Sequence, residues 1–155
     1  MPAGGDIIPA RFSIGRPRMP RISHQLEYSL YVDDLARSAD FYRRVLGFEE
    51  YLRDDRMIGL GVPGSSVLLL FVRGGSVEPS PTPTGTIPPH DATGHQHLAF
   101  AIPVGELEAW EAHLAAQGVP LESRITWPRG GVSLYFRDPD DHSVEVATPG
   151  LWPTY

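Results

Sequence analysis

Apolar and polar residues alternate along two segments of the chain, residues 26–32 and 97–102. Alternation with a period of two is typical of a strand that buries one face only. Each segment is followed by apolar residues at helical spacing and then by a glycine, Gly47 or Gly118, of the kind that ends a helix in the left-handed conformation. Three shorter apolar runs follow each glycine. The pattern predicts the order strand, helix and three strands, twice over.

The shorter strands are predicted at residues 48–52, 57–60 and 67–72, and at residues 121–125, 133–136 and 143–147. The helical positions are Phe41, Tyr42, Val45 and Leu46 in the first half and Leu107, Trp110 and Leu114 in the second. Asp34 stands where a helix-capping side chain is expected. Glu27 precedes Gly47 by 20 residues, and His97 precedes Gly118 by 21. The two halves therefore look like a duplicated module.

These elements predict an α+β fold in a single domain, residues 23–155, preceded by an N-terminal arm, residues 1–22. Module one spans 23–73, a linker 74–93, module two 94–148 and a C-terminal tail 149–155. The linker is rich in proline, so we expect no strand pairing within it. Two hypotheses for the arm stay open, a loose tail or a segment held against a second subunit.

Composition narrows the class of protein. A chain of 155 residues with 41% hydrophobic and 21% charged residues is typical of one globular domain and not of a membrane protein. The net charge of −6 and the dispersed basic residues argue against nucleic acid as a partner. All thirteen basic residues are arginine and cysteine is absent, which excludes Schiff-base and thiolate chemistry. The first twenty residues lack the apolar run of a signal peptide, so we expect a cytoplasmic location.

Strand alternation also places the residues that can carry chemistry. Glu27 and His97 occupy equivalent positions on the face of each first strand that is opposite the helix. In the last strand Val144 and Val146 point to the core, so Glu145 points to the same open face. One histidine with two carboxylates suits a divalent ion such as Mn, Fe, Ni, Co or Zn, and three protein ligands leave positions free for substrate. The sequence thus predicts a catalytic metal site.

Further residues are expected around this site. Tyr135 and Arg137 share one strand face, Tyr31 lies beyond Glu27, and Trp127 lies in a loop over the mouth, so all four are candidate substrate contacts. His95 shares the face of His97 but stands at the strand entrance. The other histidines are expected at the wrong strand parity or at the surface: His24, His142, His90 and His113.

Short motifs recur in a characteristic order: Val-Asp-Asp-Leu at 32–35, Phe-Tyr-Arg at 41–43, Leu-Gly-Phe at 46–48, His-Leu-Ala-Phe at 97–100 and Tyr-Phe-Arg-Asp-Pro-Asp at 135–140. Over residues 23–152 the chain resembles the vicinal oxygen chelate superfamily of glyoxalases, bleomycin-resistance proteins and extradiol dioxygenases. The resemblance implies two β-α-β-β-β modules that form a paired, barrel-like mixed sheet around a metal or ligand cleft. It also implies a small-molecule ligand and a homodimer, sometimes formed by exchange of modules.

In similar proteins the metal ligands lie on the first strand of each module and on the last strand. These places match Glu27, His97 and Glu145, and the resemblance makes the two carboxylates the candidate catalytic groups. Tyr135 matches a position that contacts substrate in fosfomycin-modifying relatives. The chain departs from the family at Glu27, where most relatives carry His or Gln, and at Leu69, which occupies the place of a fourth ligand. It also lacks the lysine loop of the fosfomycin-modifying transferases.

Two functions follow from the resemblance. The first is a metal-dependent enzyme that chelates adjacent oxygens of a small substrate and stabilises an enolate, oxyanion or alkoxide. Its reaction type stays open between isomerase, lyase, thiol transferase and dioxygenase. The alternative is a non-catalytic protein of the bleomycin-resistance type, which binds a drug in the same concavity.

Overall fold

The computed structural model describes residues 19–155, so most of the predicted N-terminal arm lies outside the described residues. In chain order, the elements are β1 Glu27–Val32, α1 Leu35–Leu46, β2 Glu49–Arg53, β3 Met57–Val62, β4 Ser66–Val72, β5 Ser80–Thr82, β6 Gly85–Ile87, β7 His97–Ala101, a 3₁₀ turn Val104–Glu106, α2 Leu107–Ala116, β8 Ser123–Thr126, β9 Val132–Arg137 and β10 Ser143–Ala147. Neither α-helix has the length and apolarity that crossing a bilayer requires.

The strands form two four-stranded mixed sheets with the same topology. The first has the order β1-β4-β3-β2, and the second has the order β7-β10-β9-β8. In each sheet the first strand pairs in parallel with the last, and the remaining pairs are antiparallel. This repeated arrangement confirms the α+β prediction. Among the described residues the two sheets share no strand pairing. The part of one chain that the structure describes therefore does not form a closed barrel.

The first helix begins and ends where the sequence places its signals. The Asp34 side chain accepts a hydrogen bond from the Arg37 N–H at 3.0 Å and so satisfies one free amide of the first turn. Gly47 ends the helix with a φ of 71°, a conformation that costs glycine little. The second helix has no side-chain cap at its start. Caps alone do not stabilise a short helix, so both helices also depend on the apolar contacts of their buried faces.

One apolar core is shared by both modules. Its residues come from α1, from α2 and from the helix-facing side of each sheet, and the largest fully buried ones are Tyr42, Phe136, Ile58, Leu60, Leu68, Leu70, Leu114 and Leu134. Across the module boundary, the rings of Phe41 and Phe136 lie 6.4 Å apart. Because each sheet turns its other face away from this core, the two open faces lie on the outside of the chain.

A polar junction at the turn after β9 ties the modules together. Asp138, which is buried, accepts a hydrogen bond from the Tyr42 hydroxyl at 2.8 Å. Asp140 accepts hydrogen bonds from the Asp33 N–H and from the Ser38 hydroxyl, both at 2.8 Å. Burial alone would raise the pKa of Asp140, but these hydrogen bonds and a nearby arginine charge outweigh it and lower the pKa. The carboxylate of Asp140 therefore stabilises the contact between modules.

His142 is fully buried and belongs to the same junction. Its Nδ1 accepts a hydrogen bond from the Gln96 N–H at 3.0 Å, and its Nε2 donates to the Tyr31 carbonyl at 3.2 Å. These two contacts fix one neutral tautomer and satisfy both ring nitrogens. His142 is therefore a structural residue.

The prediction that the proline-rich linker contains no paired strands is wrong. Strand β5 pairs with β6 in a short antiparallel hairpin in which Pro81 lies opposite Thr86. Each strand of a two-stranded hairpin is an edge strand. Proline can therefore occupy a position whose N–H would face solvent.

The end of the linker lies against the open face of the first sheet. His90 packs edge-on against Phe71, with ring centroids 4.6 Å apart. Its Nδ1 lies 2.7 Å from the Tyr31 hydroxyl. The prediction of a surface position for His90 is therefore wrong, because periodicity does not reveal that a loop returns to a sheet.

Candidate metal and ligand site

His97 and Glu145 come together on the open face of the second sheet. They lie on the neighbouring parallel strands β7 and β10, where His97 is paired with Ser143 and Glu145 with Ala99. The Nε2 of His97 lies 3.3 Å from a carboxylate oxygen, Oε2, of Glu145. The face that strand alternation predicts is the one on which both side chains lie. Glu145 is nevertheless only 3% exposed.

The backbone of β10 sets the tautomer of the neutral His97 ring. The Nδ1 of the ring lies 3.1 Å from the Ser143 carbonyl oxygen, which can only accept a hydrogen bond. Nδ1 is therefore the donor, and in the neutral ring Nε2 carries a lone pair instead of a proton. That lone pair faces the Glu145 carboxylate. Two electron-rich groups at this distance need a proton or a cation between them.

The second oxygen of Glu145, Oε1, is buried and has no hydrogen-bond partner. His97 is also the only basic side chain within ion-pair distance of this carboxylate among the described residues. Buried charges are ordinarily paired or bound to metal, because leaving them uncompensated is costly. An imidazole nitrogen and an unpartnered carboxylate oxygen are the donor types that borderline divalent metals prefer. The pair therefore fits a divalent cation.

Tyr135 lies on the same sheet face, beside His97 and Glu145. It lies opposite Glu145 in the register of β9 and β10, and its ring stacks on His97 with centroids 6.1 Å apart. Burial and the negative charge of Glu145 raise the pKa of Tyr135. A tyrosine hydroxyl is protonated at neutral pH, so that of Tyr135 can donate a hydrogen bond to Glu145 or to a ligand.

A cavity of about 280 Å³ opens over these residues. Its lining consists of His97, Ala99, Trp127, Tyr135, Glu145, Leu151 and Trp152. Trp127 donates from its indole N–H to the Ser133 hydroxyl at 2.8 Å, which fixes the ring in place. The cavity combines one polar pair with several aromatic walls, as small-molecule sites commonly do. Leu151 and Trp152, from the C-terminal tail, complete this wall.

Glu27 does not join the pair within one chain. Among residues 19–155, no three His, Cys, Asp or Glu side chains lie close enough together to hold a metal ion. Glu27 is exposed on the open face of the first sheet, whereas His97 and Glu145 lie on the open face of the second. A single chain therefore supplies two of the three predicted ligands at one place.

Three other predicted residues lie outside the cavity. Arg137 donates two hydrogen bonds to the Glu122 carboxylate, at 2.5 and 2.8 Å, and the hydrogen bond from Arg137 lowers the pKa of Glu122. Tyr31 is only 8% exposed, because His90 and the linker cover it. His95 lies in a separate hollow beside the inter-module turn. Strand parity assigns a face correctly, but it does not reveal what covers that face.

The fold and the His–Glu pair define a small α+β protein with a ligand cavity on an open sheet. A family model described as the Glyoxalase/Bleomycin resistance protein/Dioxygenase superfamily matches residues 21–146. The chain belongs to this superfamily.

Three relatives illustrate the range of the family. The crystal structure of lactoylglutathione lyase from Agrobacterium tumefaciens is 34% identical, has a TM-score of 0.79, and is matched over 86% of this chain and 99% of that one. Metallothiol transferase FosB of Staphylococcus saprophyticus is 29% identical over 77% of this chain and 73% of its own length. Catechol-2,3-dioxygenase of Bacillus subtilis is 29% identical over 76% of this chain. The match covers only 38% of the dioxygenase.

Proposed function

We propose that this protein is a divalent-metal-dependent enzyme that acts on a small substrate with two adjacent oxygen atoms. The metal is held by His97 and Glu145 of one chain and Glu27 of a second copy. The ion supplies Lewis-acid stabilisation of negative charge that develops on a substrate oxygen. The observation that carries the proposal is the buried Glu145 carboxylate, with one unpartnered oxygen and the other facing the lone pair of His97.

The first sheet supports the contribution of a second copy. Tyr51 and Leu52 are exposed on the same face as Glu27, beside two glycines of β3, Gly59 and Gly61. A contiguous exposed apolar patch is one mark of a protein interface. If a two-fold axis pairs this face with the open face of the partner's second sheet, both copies gain a complete three-ligand centre.

The remaining roles follow from the positions of the side chains. The Ser143 carbonyl orients the His97 ring, so that Nε2 faces Glu145 and would be free to hold the metal. The Tyr135 hydroxyl donates a hydrogen bond to a substrate oxygen. Trp127 excludes water from one side of the cavity. In an isomerase or lyase reaction, the Glu27 or Glu145 carboxylate would accept the proton that the substrate loses.

Similarity to these relatives does not determine which type of reaction the protein catalyses. The three relatives are named as a lyase, a thiol transferase and a dioxygenase, and they share the fold and not one chemistry. The ligand set of two carboxylates and one histidine differs from a two-histidine iron site. This difference favours isomerase, lyase or transferase chemistry over oxygenation.

A non-catalytic binding protein is the second candidate. Trp127, Tyr135 and Trp152 line the cavity, and aromatic walls alone can hold a planar drug. In that case the cavity would bind its ligand without metal, and Glu145 would pair with a protonated His97. The two candidates therefore differ in their requirement for metal.

The test is metal analysis by elemental mass spectrometry on protein purified without an affinity tag. We expect about one divalent ion per chain in the wild type and a loss of about tenfold or more in affinity in His97→Ala and Glu145→Ala. Arg137→Ala is the matched control, because Arg137 lies outside the cavity and should keep full occupancy. Wild-type protein that stays free of metal after incubation with Mn, Fe, Co, Ni and Zn would overturn the enzyme proposal and favour the binding protein.

A further inference from the structure

The segment 149–155 is fastened to the second sheet by its own hydrogen bonds. The Tyr155 hydroxyl shares its one proton between the Ile102 carbonyl oxygen, at 2.9 Å, and the Ala147 carbonyl oxygen, at 3.1 Å. The backbone N–H groups of Gly150 and Trp152 both donate to the Tyr155 carbonyl, at 3.0 and 3.1 Å. The segment therefore forms a compact loop with a defined position beside β7 and β10.

Two glycines, Gly131 and Gly150, allow this loop to pack closely against the turn between β8 and β9. A Cβ atom on Gly131 would lie 2.8 Å from the carbonyl carbon of Gly150, and one on Gly150 would lie 2.6 Å from the nitrogen of Gly131. Gly150 also has a φ of 108°, which disfavours a side chain there. Arg129 adds a hydrogen bond to the Leu151 carbonyl at 2.7 Å. Only glycine at both positions allows the two backbones to approach this closely.

This contact brings Leu151 and Trp152 to the cavity that contains His97 and Glu145. In a single chain Trp152 is 66% exposed, whereas so large an apolar side chain is usually covered by a ligand or by another surface. Trp127 stands in the same lining, and its indole N–H is already satisfied by Ser133. The side of the cavity next to the polar pair is therefore an apolar, aromatic wall with an uncovered indole at its mouth.

We propose that the segment 149–155 is a specificity element, in which Trp152 selects ligands that carry a planar apolar group beside their two chelating oxygens. Gly131 and Gly150 are positioning residues that act through Trp152. The inference rests on the proposed function, because the chelating oxygens are placed by the metal at His97 and Glu145. A planar group would cover the exposed indole and gain both buried area and stacking.

The test uses two probes that chelate through the same pair of oxygens. Acetohydroxamate carries a methyl group where benzohydroxamate carries a phenyl group. Both are titrated into Co²⁺-loaded protein, and binding is followed by the visible absorption of the ion. We expect the wild type to bind benzohydroxamate about tenfold more tightly than acetohydroxamate, after correction for their affinities for free Co²⁺.

In Trp152→Ala, we expect the corrected preference for benzohydroxamate to fall to about one, with the affinity for acetohydroxamate changed less than about twofold. Trp152→Phe keeps a planar ring and should retain most of the preference. Gly131→Ala, which displaces the loop, should behave like Trp152→Ala. Its matched control is Gly105→Ala, because a Cβ at Gly105 meets open space.

The two proposals fail in different ways. Co²⁺ binding and chelation of both probes, with equal corrected affinity in the wild type, would overturn the specificity element and leave the metal site standing. A preference that survives in both Trp152→Ala and Gly131→Ala would overturn it as well. Failure of the wild type to bind Co²⁺ would overturn the metal site, and the specificity element with it. Thermal unfolding of each variant checks that the domain is still folded.

Discussion

At the scale of single residues, the alternation of side chains along two neighbouring strands brings Glu145 and His97 together. Strand parity alone places both side chains on one open face, and the structure brings them within 3.3 Å of each other. Strand parity does not predict the surroundings of these two side chains. The Ser143 carbonyl that sets the histidine tautomer, and the burial that isolates the carboxylate, both depend on the register of β7 with β10. The types of donor and a metal site were predictable, but the need for a proton or a cation between these two groups was not.

This need makes a prediction for Glu145→Gln. The amide is nearly isosteric and can donate a hydrogen bond to His97 Nε2, so metal-free protein should gain about 1 kcal/mol in free energy of unfolding. Co²⁺ at about one hundred times its Kd should stabilise the wild type by about 2.7 kcal/mol, and the variant by much less. Urea unfolding with and without Co²⁺ measures both effects. Equal stabilisation of the two proteins by the ion would contradict the ligand role.

Asp140 makes a second prediction at this scale, on pH. Its pKa is lowered in the folded protein, so its contribution to stability is fully present above the unfolded pKa of about 3.9 and is lost as the pH falls through the lower folded value. Asp140→Ala should cost about 3 kcal/mol at pH 7, because it leaves the Asp33 N–H and the Ser38 hydroxyl unpaired. The difference between the two proteins should shrink below about pH 4. A difference that stays constant down to pH 2.5 in urea unfolding would argue against this role.

At the scale of elements, most of the order was predictable. Glycines after both helices, the Asp34 cap and the alternating first strands predicted the two modules, because each signal has a local physical cause. The linker was not predictable in this way. The hairpin of β5 and β6 tolerates Pro81 as an edge residue, and His90 returns to the first sheet through a contact that no local pattern encodes.

The contact between His90 and Tyr31 makes it possible to distinguish a structural role of Tyr31 from a role in ligand binding. Because the linker covers this side chain, Tyr31→Phe should lose the hydrogen bond to His90 and about 1 kcal/mol in free energy of unfolding. Affinity for a chelating ligand at the His97 cavity should stay within about twofold. Chemical denaturation and ligand titration of the same preparation give both values. A large loss of ligand affinity without loss of stability would instead support the substrate-contact role predicted from the sequence.

At the scale of the whole molecule, the shared core decides which surfaces can meet. Both sheets turn their helix-facing sides inward, so Glu27 and the His97–Glu145 pair lie on outer faces that do not converge in one chain. The equivalent positions of Glu27 and His97 in the two modules were predictable from the sequence. The sequence pattern could not reveal that these faces diverge within one chain, because it does not specify which faces pack against each other.

The most direct measurement is complementation between two variants that each lack one ligand. Glu27→Ala and His97→Ala are purified without tags, mixed in equal amounts, unfolded together in urea and refolded, and their metal content is measured by elemental mass spectrometry. Each variant alone should bind almost no metal. In the mixture, half of the dimers contain one intact centre, so about a quarter of the wild-type metal content should return. No metal in the mixture, or full metal in Glu27→Ala alone, would contradict a centre shared between two copies.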